Sequence, residues 1–110
     1  MSKDNIVYLG HILNCVLKIQ EYMKGITLEQ FINNDEKQDA VVRNFEVIGE
    51  ATSRISDEFK IKNNQLPWRK MKAMRNFLIH DYEEVDLKLV WEAIMVDLPE
   101  LKTNIEKIIN

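Results

Sequence analysis

The chain has 110 residues, of which 45% are hydrophobic and 30% charged, a globular mixture that fits one domain and leaves no room for a second core. Its three glycines and two prolines favour long helices over a turn-rich β fold, and no apolar stretch reaches the length of a membrane span. The net charge of −3 opposes indiscriminate binding to nucleic acid.

The first predicted helix runs from about Asp4 to Lys24. At ~100° per residue, Ile6, Leu9, Ile12, Leu13, Val16, Leu17, Ile19 and Met23 form one stripe. Tyr8, Cys15 and Tyr22 widen it to roughly 200°, about twice what a surface helix needs. Such a helix has to bury two sides, and in a domain this small the second side predicts a homodimer. Cys15 falls in the apolar arc and reads as core. As the single cysteine it cannot close an internal disulfide, which suits a reducing cytoplasm. The first apolar run is interrupted by Gly10, His11 and Asn14 and does not read as a signal peptide.

Gly25 ends this helix, and Thr27-Leu28-Glu29-Gln30 has the form of a capping box opening a short helix that reaches Asn33. A second long helix is expected from Asn34 or Asp35 to about Ser56, with Val41, Phe45, Ile48, Ala51 and Ile55 as its buried stripe. Gly49 at the edge of that stripe allows another backbone to approach closely, and Asn44 inside it needs a local hydrogen-bond partner. Glu46 and Glu50 fall outside the stripe; they are candidate partners for the basic residues of the third helix or belong to a solvated face. After the polar loop Lys62-Asn63-Asn64-Gln65, Pro67 opens a third helix that runs to His80 or Asp81. Asp86 caps a last helix from Leu87 to about Ile109, striped by Leu87, Val90, Trp91, Ile94, Leu98, Leu101, Ile105 and Ile108. Pro99 should kink that helix, with the stripe keeping phase across the kink. The expected fold is all-α, an up-and-down four-helix bundle with an extra short helix.

Charge is unevenly placed along this frame. Six basic residues (Lys60, Lys62, Arg69, Lys70, Lys72 and Arg75) and no acidic one lie between Phe59 and His80. Such a patch can attract phosphate while the rest of the molecule repels it. On the third helix Trp68, Met71, Met74 and Leu78 align as a core stripe. Arg75 falls within ~20° of Trp68, so it is expected to be buried or at an interface, with an anion or acceptor as partner. His80 lies ~140° from Arg75, so the two converge only if the helix end bends or a second chain supplies the other half.

The histidines, His11 and His80, belong to no metal-ligand spacing, and no glycine-rich phosphate loop is present. What remains is acid–base work on a phosphodiester, with His80 as proton carrier and Arg75 stabilising charge on the phosphate oxygens. RNA carries its own nucleophile in the 2′-hydroxyl, so this pair needs neither a metal nor a cofactor. Taken alone, Arg75 and His80 also fit a structural reading, since a histidine at a helix C-terminus complements the dipole.

The fuller pattern is more specific. "RNFLIHDY", Arg75 to Tyr82, matches R-x-x-x-x-H-x-Y and resembles the signature of HepT-like toxins of the HEPN superfamily, small all-helical ribonucleases. "RNFEVIGEA" from Arg43, "PWRKMKAMRN" from Pro67 and "VDLKLVWEAIMVDLPEL" from Val85 extend the resemblance over nearly the whole chain. It implies a homodimer pooling two Arg75 and two His80 across a cleft, and metal-independent RNA cleavage that leaves a 2′,3′-cyclic phosphate. In that scheme His80 is general acid or base, Arg75 holds the phosphate and Asn76 helps orient the site. The implied partner is an MntA-like nucleotidyltransferase antitoxin that transfers AMP to Tyr82, as in type VII toxin–antitoxin pairs. A different class stays open: a non-catalytic helical module that binds or presents substrate to a nucleotidyltransferase.

Overall fold

A computed structural model of the protein describes residues 3–78 and 86–110. The described residues form an all-α, up-and-down bundle. Helix α1 (Lys3–Met23) packs against α3 (Asp35–Arg54), with the short α2 (Leu28–Ile32) between them in sequence. A second short helix, α4 (Asp57–Lys62), precedes α5 (Trp68–Ala73), which tightens without a break into a 3-10 turn, Met74–Leu78. The last body is α6 (Leu87–Glu92), a π-helical turn (Ala93–Asp97) and α7 (Leu98–Ile109), with α7 against α1.

The caps act where their residue types suggest. Thr27 Oγ1 accepts from the Gln30 N–H at 3.1 Å while Gln30 Oε1 accepts from the Thr27 N–H at 2.9 Å, closing the capping box. Gly25 leaves α1 at φ +73°, a left-handed conformation that glycine adopts without strain. Asp86 Oδ1 accepts from the Lys88 and Leu89 N–H groups and starts α6. Asn44 finds its expected local partner, donating to the Ala40 carbonyl at 2.8 Å.

Helix α4 is an addition to the expected elements. Ser56 caps it by accepting from the Phe59 N–H, and Asp57 and Glu58 sit in its first turn. Asn5 of α1, only 4% exposed, donates to Ser56 Oγ at 3.1 Å and accepts from the Ser56 N–H at 3.0 Å. That pair of bonds ties the start of α4 to the start of α1. At Pro99, where a kink is expected, the structure has a π turn just before the proline. Proline cannot donate to the ladder, and the extra residue lets it fall in the first turn of α7, where no donor is required. Val90, Ile94, Leu98, Leu101 and Ile105 are all buried across this join, so the stripe keeps its phase.

Phe31, Phe45, Leu9, Ile12, Ile48 and Leu98 are fully buried at the centre of the core. Cys15 is buried as expected. The wide stripe of α1 is only partly used: Leu9, Ile12, Cys15, Val16, Ile19 and Met23 enter the core, whereas Ile6 and Leu17 remain 36% and 42% exposed. These two and the half-buried Leu13 form an apolar shoulder along one side of α1. Among the described residues no helix is long and apolar enough to cross a membrane.

Candidate functional site

The segment that carries the motif is fixed at both of its described ends. At its start Trp68 is half-buried, and its indole N–H is shared between the carbonyls of Lys60, at 3.1 Å, and Asn63, at 3.0 Å. Its ring meets Phe59 edge-on at 6.2 Å. Pro67 stands one position earlier than expected, as the N-cap of α5. Further along, Phe77 meets Phe45 of α3 edge-on at 5.1 Å.

Between these anchors the buried residues are Met71 and Met74. The core axis of the segment therefore runs through the methionines, with Trp68 at its flank. Of the two expectations for Arg75, burial or a place at an interface, burial within the chain does not hold. Sharing the flank of Trp68 and following the switch to 3-10 geometry, Arg75 is exposed in the chain and makes no ion pair or hydrogen bond among the described residues. Its base is nonetheless tightly seated. A Cβ built on Gly49 of α3 would lie 2.7 Å from Arg75 Cβ, 2.8 Å from Arg75 N and 2.9 Å from the Lys72 carbonyl. Only a glycine fits there, so the backbone of the motif lies directly on α3 while the guanidinium stays in solvent. Asn76, next in sequence, is also exposed.

Among the described residues the acidic side chains of α3 do not neutralise this site. Glu46 of α3 pairs with Arg43 at 3.2 Å, one turn away on its own helix. Exposed Glu50 makes no ion pair among the described residues. Lys70 is answered from the last helical body, at 2.9 Å from Asp97 in the π turn, and that carboxylate holds the lysine pKa above its ordinary value. Asp97 was not legible as a partner, because 27 residues separate it from Lys70. His80 and Tyr82 lie outside the described residues, so of the four motif residues the structure places Arg75 and Asn76.

Three comparisons bear on what this site belongs to. A family model described as "Ribonuclease HepT-like" matches residues 12–108. A protein of Methanocaldococcus jannaschii described as a gamma-glutamylcyclotransferase and candidate RNase is 44% identical over 108 residues; the chain spans 98% of its own length but only 49% of that relative. A Thermococcus cleftensis protein named "Probable ribonuclease HepT" is 37% identical over 98% of both chains. Among solved structures, a tri-AMPylated Shewanella oneidensis HEPN toxin in complex with MNT antitoxin matches with a TM-score of 0.70 at 23% identity over 98% of both chains. That likeness shows the fold.

Proposed function

Because the chain belongs to the HepT-like ribonuclease family, we propose that it is a metal-independent endoribonuclease, acting in the cytoplasm as the toxin of a toxin–antitoxin pair. The observation that carries this reading is the exposed guanidinium of Arg75, unpaired among the described residues, on a backbone seated against Gly49. An exposed cation that no carboxylate satisfies among the described residues, fixed at its root, is suited to receive a phosphate.

The reaction needs no external nucleophile. The 2′-oxygen of the substrate attacks the adjacent phosphorus as a base takes its proton, forming the 2′-O–P bond. The P–O5′ bond breaks, and an acid protonates the departing 5′-oxygen, leaving a 2′,3′-cyclic phosphate. His80 supplies the proton transfers, Arg75 stabilises the charge on the non-bridging oxygens and Asn76 orients the phosphate. A homodimer would provide two His80, one as base and one as acid. The uncovered shoulder of Ile6, Leu13 and Leu17 on α1 supports such a pairing.

Regulation follows from Tyr82, two residues beyond His80. An MNT-type nucleotidyltransferase would join the α-phosphorus of ATP to the Tyr82 oxygen, releasing pyrophosphate. The AMP group would add bulk and negative charge to the motif that binds phosphate and so exclude RNA. The modified state of the matched toxin supports this part of the reading.

The test is RNA cleavage by purified protein in EDTA, alongside His80→Ala and Arg75→Ala variants shown to be folded. Cleavage by the parent alone, with cyclic-phosphate ends, is the expected result. An unmodified parent that cuts none of several RNAs would replace this reading with that of a module docking a nucleotidyltransferase. Equal cleavage by parent and His80→Ala would remove His80 from the reaction.

A further inference from the structure

The six basic residues of the segment before the motif are not equivalent. Lys62 is paired with Glu58 at 3.2 Å. Lys60 is half-buried at the junction where its carbonyl receives the Trp68 indole. Lys70 is turned to Asp97. Arg69, Lys72 and Arg75 remain, all exposed and none with an ion pair or hydrogen bond among the described residues. At ~100° per residue, Lys72 lies ~60° from Arg69, and Arg75 roughly 40° further on, so the three share one strip about 100° wide. Lys70 falls ~100° beyond Arg69 on the opposite side of that strip.

We propose that this strip is a track for single-stranded RNA, on which Arg69 and Lys72 each hold a phosphate flanking the one bound at Arg75. The proposal rests on the ribonuclease reading above. Spacing supports it: Arg69 and Lys72 are ~4.5 Å apart along the axis, and the step from Lys72 to Arg75 stretches to roughly 5–6 Å as the turn tightens to ~2 Å per residue. Long basic side chains at such intervals reach successive phosphates of an extended strand. Gly49 seats the Arg75 end directly on α3, which fixes the root of that side chain. The other exposed residues alongside are Ala73 and Asn76, while Trp68 and Phe77 turn their rings to Phe59 and Phe45. With no aromatic platform among the described residues of the strip, the track grips the backbone and not the bases, which makes the binding tolerant of sequence.

The experiment measures binding of a short single-stranded RNA with 2′-O-methyl sugars, which cannot be cleaved, across a salt series. The parent is compared with an Arg69→Ala/Lys72→Ala double variant and with a Lys62→Ala/Lys70→Ala double variant that loses the same charge from paired positions. Circular dichroism and thermal melting establish that each is folded. Losing two phosphate contacts should lower the slope of log K against log salt by about 1.4. On cleavable RNA the same double variant should raise KM with kcat little changed, and the paired-lysine variant should stay near the parent. Equal losses in both double variants would overturn the track in favour of a diffuse field. Unchanged RNA binding in the Arg69/Lys72 variant, with parental cleavage intact, would overturn it and leave the ribonuclease reading standing. If that variant instead lost its hold on a nucleotidyltransferase, the strip would belong to a protein partner. A parent that neither binds nor cleaves RNA would remove the ribonuclease reading and the track with it.

Discussion

The missing side chain of Gly49 and the backbone of Arg75 occupy the same space: a Cβ on the glycine would stand 2.7 Å from Arg75 Cβ and 2.8 Å from its nitrogen. This contact joins the second long helix to the motif and sets where the exposed guanidinium emerges.

Gly49→Ala therefore has opposing terms. Alanine in a helix interior gains about 0.5–1 kcal/mol over glycine, whereas overpacking costs roughly 1–3 kcal/mol. Because the atoms met are the motif's backbone nitrogen, a carbonyl oxygen and a Cβ, which cannot swing aside, the cost wins. The variant should be destabilised by ~1–2 kcal/mol and lose cleavage activity beyond what that stability explains. Denaturant unfolding and single-turnover cleavage measure the two, and a variant as stable and active as the parent would contradict the contact.

Asn5→Ala removes a buried amide that bonds Ser56 through both its donor and its acceptor. The expected loss is about 1–3 kcal/mol, seen as a lower denaturation midpoint at unchanged slope. Ser56→Ala should lose less, since the backbone N–H keeps its bond to Asn5. The reverse ranking would mean that the cap of α4, not the tie to α1, holds this corner.

Ile6→Glu combined with Leu17→Glu places charge on the uncovered shoulder of α1. If copies of the chain pair there, sedimentation should show monomers and cleavage should fall with the dimer. A double variant that still sediments as a dimer would move the interface elsewhere.

Tyr82→Phe removes the hydroxyl that would accept AMP. Cleavage by the isolated protein should persist, and mass spectrometry after incubation with ATP and a nucleotidyltransferase partner should show no adduct at this position. An adduct of unchanged amount would place the modification on another residue.

Burial pushes the Cys15 thiol above its ordinary value of 9.0, partly opposed by the charges of Lys18 and Arg43. A group whose pKa is raised by folding contributes stability that is fully present below its unfolded value and is lost as pH rises through the folded one. The parent's stability advantage over Cys15→Ala should thus shrink above about pH 9. Alkylation of native protein should be slow until it unfolds. A thiol that reacts at the rate of a free cysteine would show that α1 opens readily.

Much of this architecture was legible in the chain because it depends on neighbours three or four residues apart. The capping box at Thr27 and Gln30, the Asp86 cap, the local partner of Asn44 and the buried stripes are of that kind. The α4 signal is of the same local kind: Ser56, where the longer helix is expected to end, is followed by Asp57 and Glu58 as cap and first turn. The close approach allowed by Gly49 could be inferred, but not what would approach.

The sequence by itself determined the helices, most of the core and the motif residues, since periodicity and capping are properties of adjacent turns. Tertiary structure decided that Arg75 is exposed, that its backbone rests on Gly49, that Lys70 is answered by Asp97 and that Asn5 holds Ser56. Each of those depends on which helices meet and where the 3-10 turn shifts the phase, and no local interaction encodes that. An arginine on a core stripe reads as buried or at an interface, and the packing removes burial by showing that the methionines beside it, Met71 and Met74, face the core instead.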